Sequence, residues 1–122
     1  MIEGVFIGNV PWIEIVVGWG KSVQRPLAIL DTGFSGDLQV TPKIAKQLQL
    51  VSSGTVDVRI ANGQVVTVPI SKAISWVEGM QNYIDVIVSD SAPLVGIGFL
   101  AKFSYKAIVD CKNRKISLNR AA

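Results

Sequence analysis

One carboxylate in this sequence lies at a position where a chemically reactive side chain would be expected. An uninterrupted apolar run from Leu27 to Leu30 ends at Asp31-Thr32-Gly33. The run predicts a buried strand, which would deliver Asp31 to its rim. Gly33 permits a tight turn and the close approach of another backbone, and Thr32 offers a hydroxyl for hydrogen bonds. Asp-Thr-Gly is also a common turn sequence at the end of a strand. Whether Asp31 has a catalytic role therefore depends on the elements around it.

The composition limits which reactions this chain can catalyse. The sequence contains no histidine and a single cysteine, Cys111. Ser-His-Asp and Cys-His catalysis and every histidine-ligated metal site are therefore excluded, and one cysteine cannot build a thiolate zinc site alone. An enzyme built from this chain would use carboxylates, lysines, hydroxyls or the backbone, and we expect neither a metal nor a cofactor.

The bulk properties predict a single domain spanning residues 1–122. Apolar residues make up 49% of the chain and charged residues 17%, a balance that favours a partner covering some apolar surface. The net charge is +3 and the basic residues are scattered, so we do not expect nucleic-acid binding. We also expect a cytoplasmic protein without membrane insertion, because no signal peptide is apparent and the longest apolar stretch, around residues 93–101, is short.

The elements that would position Asp31 are mostly strands. Apolar and β-branched runs predict strands over residues 4–9, 12–19, 27–30 and 38–40. Thr41-Pro42 predicts the start of a helix that ends near Leu50. Further strands are predicted at residues 73–77, 83–89, 106–110 and 115–119, with a short helix at 99–103. Many short strands with one or two short helices indicate a small, mainly β, closed barrel.

The clearest hairpin lies between these elements. Val56, Val58 and Ile60 alternate with polar residues before Asn62-Gly63, and the alternation resumes on the return strand up to Ile70. The Asn-Gly pair favours a two-residue turn with positive φ at both positions.

Together these pieces resemble the retropepsin-like aspartic peptidases, and most of all a prokaryotic Asp-Thr-Gly-Phe branch of that clan. The resemblance is carried by the strand ending in Asp31-Thr32-Gly33, the hairpin of residues 56–70, and Leu94-Val95-Gly96 leading into a short helix. It covers residues 12–118. It implies the acid-protease type of barrel and the hydrolysis of peptide bonds, with peptides or proteins as substrates.

The resemblance also implies a homodimer. The family's chemistry needs two aspartates, and this chain contains one Asp-Thr-Gly and no Asp-Ser-Gly. A two-fold axis between two copies of Asp31 would supply the pair. By the same resemblance, Thr32 would make hydrogen bonds across the dimer and Gly33 would offer its carbonyl to the substrate.

The remaining expected site residues flank this centre. By resemblance, Ala61, Asn62 and Gly63 would lie near the tip of a flap that closes over an extended peptide. Phe34 departs from the family, where a small residue usually follows the glycine, and with Ser35 it is expected to border the substrate. A ring at this place would wall a pocket or narrow the cleft. A non-catalytic, dimeric peptide-binding or assembly module on the same fold therefore stays open as the alternative.

Overall fold

The computed structural model describes residues 1–60 and 62–121. The chain is mainly β, with 57% of its residues in strands and 10% in helices, which confirms the expected fold class at this level. The strands are β1 (Ile2–Glu3), β2 (Val5–Ile7), β3 (Val10–Glu14), β4 (Val16–Trp19), β5 (Ser22–Gln24), β6 (Leu27–Leu30), β7 (Leu38–Val40), β8 (Ser52–Arg59), β9 (Val65–Val77), β10 (Met80–Val88), β11 (Leu94–Val95), β12 (Tyr105–Asp110) and β13 (Lys115–Arg120). The helices are α1 (Pro42–Gln47) and α2 (Ile97–Lys102).

The larger sheet curls into a half-barrel. Its strands are hydrogen-bonded in the order β2-β3-β6-β11-β7-β10-β9-β4-β5, and β8 pairs with β9. The short strand β11 lies between β6 and β7, parallel to the first and antiparallel to the second. This insertion brings Leu94-Val95 beside the strand that ends at Asp31.

The predicted strand over residues 12–19 is two strands. The break falls at Ile15, which is buried and whose N–H donates to the carbonyl of Pro26 over 2.9 Å. Before the break β3 pairs with β6, and after it β4 pairs with β9. The apolar run is continuous because both strands bury side chains in the same core, although their strand partners differ.

One apolar core fills the curl. It combines inward-facing residues of the sheet with side chains of α2 and of the last two strands; its most buried members include Ile13, Val17, Ala28, Leu38, Ile84, Val95, Phe99, Phe103 and Leu118. The rings of Phe99 and Phe103 pack with their centroids 4.7 Å apart. Alternation along β6, with Ala28 and Leu30 buried, leaves Leu27 and Ile29 on the outer face.

Both helices differ from their predicted bounds, α1 at its end and α2 at both ends. Thr41 caps α1 as expected, since its hydroxyl accepts a hydrogen bond from the N–H of Ile44 over 3.3 Å. The helix ends at Gln47 and not near Leu50, because Gln49 adopts a left-handed conformation with φ of 56°. Helix α2 begins at Ile97, two residues earlier than predicted, with Gly96 as its N-cap.

The smaller sheet has the order β1-β13-β12. It meets the larger sheet at a cluster that we call the Glu78 junction. Here the Glu78 carboxylate accepts hydrogen bonds from the Met1 ammonium and the Tyr105 hydroxyl, and Arg120 donates to the Glu78 carbonyl over 3.5 Å. No helix among the described residues is long and apolar enough to cross a membrane.

Candidate functional site

Strand β6 carries Asp31 to the rim of the larger sheet. The strand is held on both sides, by β3 and by β11, so its end has little freedom. The N–H of Asp31 continues the pairing with β11 by donating to the carbonyl of Val95 over 3.0 Å. Asp31 itself is half-buried. The carboxylate therefore stands on a rigid strand end and remains open to a ligand.

The turn after Asp31 orients its carboxylate. The N–H of Gly33 donates to Oδ1 of Asp31 over 2.9 Å, and the N–H of Phe34 donates to the Asp31 carbonyl over 3.1 Å. A Cβ added to Gly33 would lie 3.2 Å from that Oδ1, so glycine keeps the approach uncrowded. Within residues 1–60 and 62–121, Asp31 forms no salt bridge. One oxygen is thus held by the backbone, and no cation of the described chain neutralises the group.

The segment after the turn, Phe34 to Asp37, is bound to the first turn of α2. Three backbone N–H groups donate to it: Ile97 to Phe34 over 2.9 Å, Gly98 to Gly36 over 3.0 Å, and Gly96 to Asp37 over 3.0 Å. These bonds place the residues that follow Asp31 directly on the segment that follows β11. Leu94-Val95-Gly96 therefore lies beside the Asp-Thr-Gly turn.

Glycines make room for the Phe34 ring. A Cβ on Gly36 would come within 2.5 Å of the ring, and one on Gly96 within 2.6 Å. A Cβ on Gly96 would also lie 2.3 Å from the carbonyl oxygen of Gly36. Such distances are not tolerated, so an aromatic side chain at position 34 requires side-chain-free neighbours. The large Phe34 ring is therefore accommodated by the local packing.

An ion pair between a buried carboxylate and an exposed lysine ties the same segment to the other end of α2. Asp37 is buried, and its Oδ2 accepts hydrogen bonds from Lys102 Nζ over 2.6 Å and from the N–H of Asp85 over 2.9 Å. Lys102 also donates to the carbonyl of Tyr83 over 3.3 Å. Asp37 thus links the loop that follows Asp31 to α2 and to β10. No local sequence pattern indicates this pair, because its two members stand 65 positions apart.

A cleft of about 460 Å³ opens beside Asp31. Its floor is the outer face of the sheet, where Leu94, Gln39 and Ile87 are neighbours across β11, β7 and β10. Its wall is the hairpin formed by β8 and β9, through side chains that include Val58, Ile60, Val66 and Val68. Four of the apolar residues that alternate along the hairpin thus face the cleft, while Val56 and Ile70 line the adjoining cavity. Apolar surfaces on two sides with one carboxylate at the rim suit an extended peptide.

A second cavity of about 510 Å³ adjoins the cleft at Phe34. Five residues line both spaces: Gly33, Phe34, Val58, Arg59 and Ile87. The second cavity is more polar, since its remaining lining residues include Ser35, Asp37, Asp57 and Asp85. A ligand that spans both spaces would therefore meet an apolar and a polar environment in turn.

The charged groups at this cavity are held by their neighbours. Asp57 Oδ1 accepts a hydrogen bond from the Thr67 hydroxyl across the hairpin over 2.7 Å. Asp85 pairs with Lys72, and its carboxylate raises the pKa of the Lys72 ammonium, first through their hydrogen bond. Arg59 donates to the carbonyl of Gly63 over 3.2 Å.

The tip of the hairpin differs from the predicted two-residue turn. The N–H of Ile60 donates to the carbonyl of Gln64 over 2.9 Å, so three residues lie between the last paired positions. Asn62 Oδ1 accepts the N–H of Gln64 over 2.9 Å, and Gly63 has φ of +85°. Asn62 and Gly63 are exposed at the tip, while the expected site residue Ala61 lies outside the described residues.

The structure brings most, but not all, of the expected site residues together. Asp31, Gly33 and Phe34 line the cleft, and Ser35 lines the adjoining cavity. Thr32 is exposed at the rim, and Asn62 and Gly63 lie at the hairpin tip away from the lining. The floor residues Gln39, Ile87, Ser89 and Leu94 were not anticipated, since only strand pairing brings them together.

Comparisons with known proteins do not assign a family: no family model and no curated protein matches this chain. The function must therefore be inferred from the chemistry and geometry of the cleft itself.

Proposed function

We propose that this chain is one subunit of a homodimeric aspartic endopeptidase of the retropepsin type. The observation that carries the proposal is the position of the Asp31 carboxylate. It stands on a braced strand end, at the rim of a cleft walled by the hairpin of β8 and β9. The curled sheet and the packing of Leu94-Val95-Gly96 against the Asp31 turn support an acid-protease type of fold. The single cysteine suits the cytoplasm, which we keep as the proposed location.

The proposed chemistry needs a second Asp31 from a second copy of the chain. Two carboxylates about 3 Å apart cannot both ionise, so they share one proton, as is general for aspartic peptidases. The ionised member accepts a proton from a bound water, which attacks the scissile carbonyl carbon. The protonated member donates to the carbonyl oxygen and stabilises the charge that develops there. The tetrahedral intermediate then collapses with protonation of the leaving amine, and no covalent enzyme intermediate forms.

The residues around Asp31 have supporting roles in this proposal. The N–H of Gly33 keeps one carboxylate oxygen directed along the turn. Thr32 is exposed at the rim, where its hydroxyl is free to bond across a dimer. The hairpin covers the substrate and excludes water from the reacting groups. General acid–base help of this kind is worth about 10² to 10⁴-fold, so positioning of the peptide supplies much of the remaining rate.

The cleft favours a peptide that binds in extended form. Its floor is the outer face of a sheet, and successive side chains of an extended peptide point to opposite sides. One side chain would meet the apolar floor and wall beside Asp31. A neighbouring position would reach the polar cavity beyond Phe34. The proposed substrates are therefore peptides or proteins with an apolar residue at the cleavage site.

Cleavage of a peptide library tests this proposal. We expect the wild-type chain to cleave and pepstatin to inhibit it, because pepstatin occupies the position of the attacked carbonyl between two aspartates. Replacing Asp31 with Asn removes the base, and we expect activity to fall by at least about 10²-fold. Glu14→Gln is the matched control, since it removes an exposed carboxylate outside the cleft. Cleavage that survives in D31N contradicts the assignment.

The alternative is a dimeric peptide-binding or assembly module without catalysis. Phe34 favours this reading, because its ring borders the cleft directly beside Asp31. The same library separates the two functions. Peptides that bind the wild-type chain but remain uncleaved at both acidic and neutral pH would support the binding module and overturn the peptidase.

A further inference from the structure

The floor beside Asp31 continues along β9 and β10 beyond the adjoining cavity. Ile87 and Ile70 are paired across these two strands, and both line that cavity. Alternate residues of a strand point to the same face of its sheet. The next paired positions on this face are therefore Asp85–Lys72, Tyr83–Ile74 and Gln81–Trp76. Together they form a strip that is about 20 Å long from Ile87 to Gln81.

Exposed apolar side chains cluster at the far end of this strip. Tyr83 is 64% exposed and Trp76 is 38% exposed, and on the edge strand β5 Val23 is 53% exposed. Val23 pairs with Gly18 of β4, and Gly18 pairs with Ile74, so these residues share one face of the sheet. We call the surface formed by Tyr83, Ile74, Trp76 and Val23 the aromatic face. Exposed apolar surface often marks an interaction site, and tyrosine and tryptophan are enriched at the energetic centres of interfaces.

The Trp76 ring is held in place before any ligand binds. Its indole N–H donates to Oε1 of Gln81 over 2.9 Å. A Cβ added to Gly18 would lie 2.6 Å from Cζ3 of the ring, so the ring packs directly on the backbone of β4. A side chain that is already ordered loses little conformational entropy when a ligand contacts it. Trp76 is therefore suited to bind an apolar side chain.

The connection to the cleft indicates which ligand reaches this surface. An extended peptide that leaves the cleft through the adjoining cavity would run along the strip, over the exposed Lys72–Asp85 pair, to the aromatic face. Six positions separate Ile87 from Gln81, and an extended peptide needs about as many residues to cover the same distance. The side chains that arrive at the aromatic face would therefore be remote from those that lie beside Asp31.

We propose that the aromatic face is an exosite, a second binding site for the substrate outside the cleft. It holds an apolar segment of an extended polypeptide about six or more residues away from the part in the cleft. The inference rests on the proposed function for the identity of this ligand. Its consequence is a preference for long, unfolded substrates over short peptides. Contacts so far from the cleaved bond are the same in the ground state and the transition state, so they lower KM and leave kcat unchanged.

Peptides that differ only in an extension test the exosite. The starting point is the octapeptide with the highest kcat/KM in the library, or the tightest binder if none is cleaved. It is extended at either end by about ten Gly and Ser residues, with or without two Phe residues in the far half. We expect the Phe extension at one of the two ends to lower KM by about tenfold relative to its Ser counterpart. Equal KM values for the Phe and Ser extensions at both ends overturn the proposal.

Substitutions on the aromatic face should remove this gain. We expect Trp76→Ala and Tyr83→Ala each to raise the KM of the Phe-extended peptide by at least about threefold, with kcat and the KM of the octapeptide unchanged. Tyr83 is largely exposed, so Y83A tests the exosite even if W76A is destabilised. Val5→Ala is the matched control, since Val5 is an exposed apolar residue on β2, at the opposite edge of the larger sheet. An unchanged KM in Y83A, or the same rise in V5A, contradicts the exosite.

Binding measurements separate the exosite from the peptidase. The dissociation constants of fluorescein-labelled Phe-extended and Ser-extended peptides are measured by fluorescence anisotropy in a D31N background, where cleavage is blocked. Tighter binding of the Phe-extended peptide that is lost in Y83A, by a chain that cleaves nothing, would support the binding surface and contradict the peptidase. Cleavage of the octapeptide without any effect of the extensions would support the peptidase and overturn the exosite.

Sedimentation of the same variants covers the other possible occupant of the aromatic face. We expect Y83A and the wild-type chain to have the same oligomeric state. If Y83A weakens self-association and leaves peptide binding unchanged, the aromatic face binds a second copy of the chain and the exosite is overturned.

Discussion

At the scale of single residues, the candidate site depends on side chains that are small or absent. Gly33 orients the Asp31 carboxylate through its N–H, while Gly36 and Gly96 leave the space that the Phe34 ring occupies. Asp31 could be recognised in the sequence because of its place after an apolar strand. The role of Gly96 could not, since its neighbours Phe34 and Gly36 are about sixty positions earlier in the chain.

Gly96→Ala should destabilise the chain strongly. The added Cβ would lie 2.3 Å from the Gly36 carbonyl oxygen and 2.5 Å from that of Phe34, and both oxygens are hydrogen-bond acceptors for α2. We expect the free energy of unfolding in urea to fall by about 3 kcal/mol. The control is Gly20→Ala, where φ is +57° but the space is open, so only about 1 kcal/mol of backbone strain is expected. An equal effect of both variants would refute the crowding at position 96.

Phe34→Ala should change which side chains the cleft accepts. Phe34 lines both the cleft and the polar cavity, so removing its ring enlarges the space there and larger side chains gain room beside Asp31. If the chain is a peptidase, we expect the ratio of kcat/KM between bulky and small apolar residues at the cleavage site to shift by about tenfold towards bulky ones. Tyr83→Ala removes an exposed ring outside the cleft and should leave the ratio unchanged. A library profile for F34A identical to wild type would rule out a pocket role for the ring.

At the scale of elements, β6, β11 and α2 act together to hold the Asp31 turn. β11 pairs with β6, and the first turn of α2 donates three hydrogen bonds to the segment that follows Asp31. The Asp37–Lys102 pair then fastens the same segment to the end of α2. The segment that follows Asp31 is therefore held by contacts with both ends of α2.

Lys102→Met should lower stability more than the neighbouring change Lys72→Met. Lys102 pairs with a buried carboxylate, and removing its ammonium group leaves the Asp37 side chain buried without its ionic partner. Because Lys102 is itself 37% exposed, the loss should be about 2 kcal/mol, below that of a fully buried pair. The side chains of Lys72 and Asp85 are both exposed to solvent, so K72M should lower stability clearly less than K102M.

Urea denaturation of both variants, with Lys102→Arg as the rescue, measures this difference. K102R keeps the positive charge and should recover most of the stability lost in K102M. Equal losses for K102M and K72M would show that burial of Asp37 does not set the strength of its ion pair.

At the scale of the whole molecule, the Glu78 junction connects the two sheets. Hydrogen bonds from the Met1 ammonium, and then from the Tyr105 hydroxyl, hold the pKa of Glu78 below its usual value of 4.5. The pKa of Tyr105 is raised, first by burial and then by its bond to Glu78. The unfolded chain therefore takes up the Glu78 proton at a higher pH than the folded chain does.

The junction should make stability sensitive to acid. Its contribution is complete above the usual pKa of 4.5 and is lost as the pH falls through the lower pKa of the folded state. Glu78→Gln removes this titration, so the fall in unfolding free energy between about pH 5 and about pH 3 should be smaller than in wild type. Glu3→Gln serves as the exposed control and should keep the wild-type profile. If the unfolding free energy of E78Q falls with decreasing pH as steeply as that of the wild type, the titration of Glu78 does not cause the acid sensitivity.

Local sequence patterns predicted the structure correctly where a feature depends on a single helix or strand. The apolar run of β6, the alternation along the hairpin and the Thr41 cap all appear as expected. They succeed because side-chain periodicity and capping depend on residues close in the chain. The split at Ile15 and the early end of α1 were missed, because strand partners and the left-handed Gln49 depend on distant packing.

Residue types and motif order limit the chemistry open to this chain and indicate the residue that would perform it. With no histidine and one Asp-Thr-Gly after an apolar strand, Asp31 is the candidate on sequence grounds alone. The surroundings of Asp31 depend on the folded chain: the cleft floor of Leu94, Gln39 and Ile87, and the Asp37–Lys102 pair that holds the following segment. These features join residues far apart in the chain. Strand order and burial create them, and neither is encoded in a local spacing.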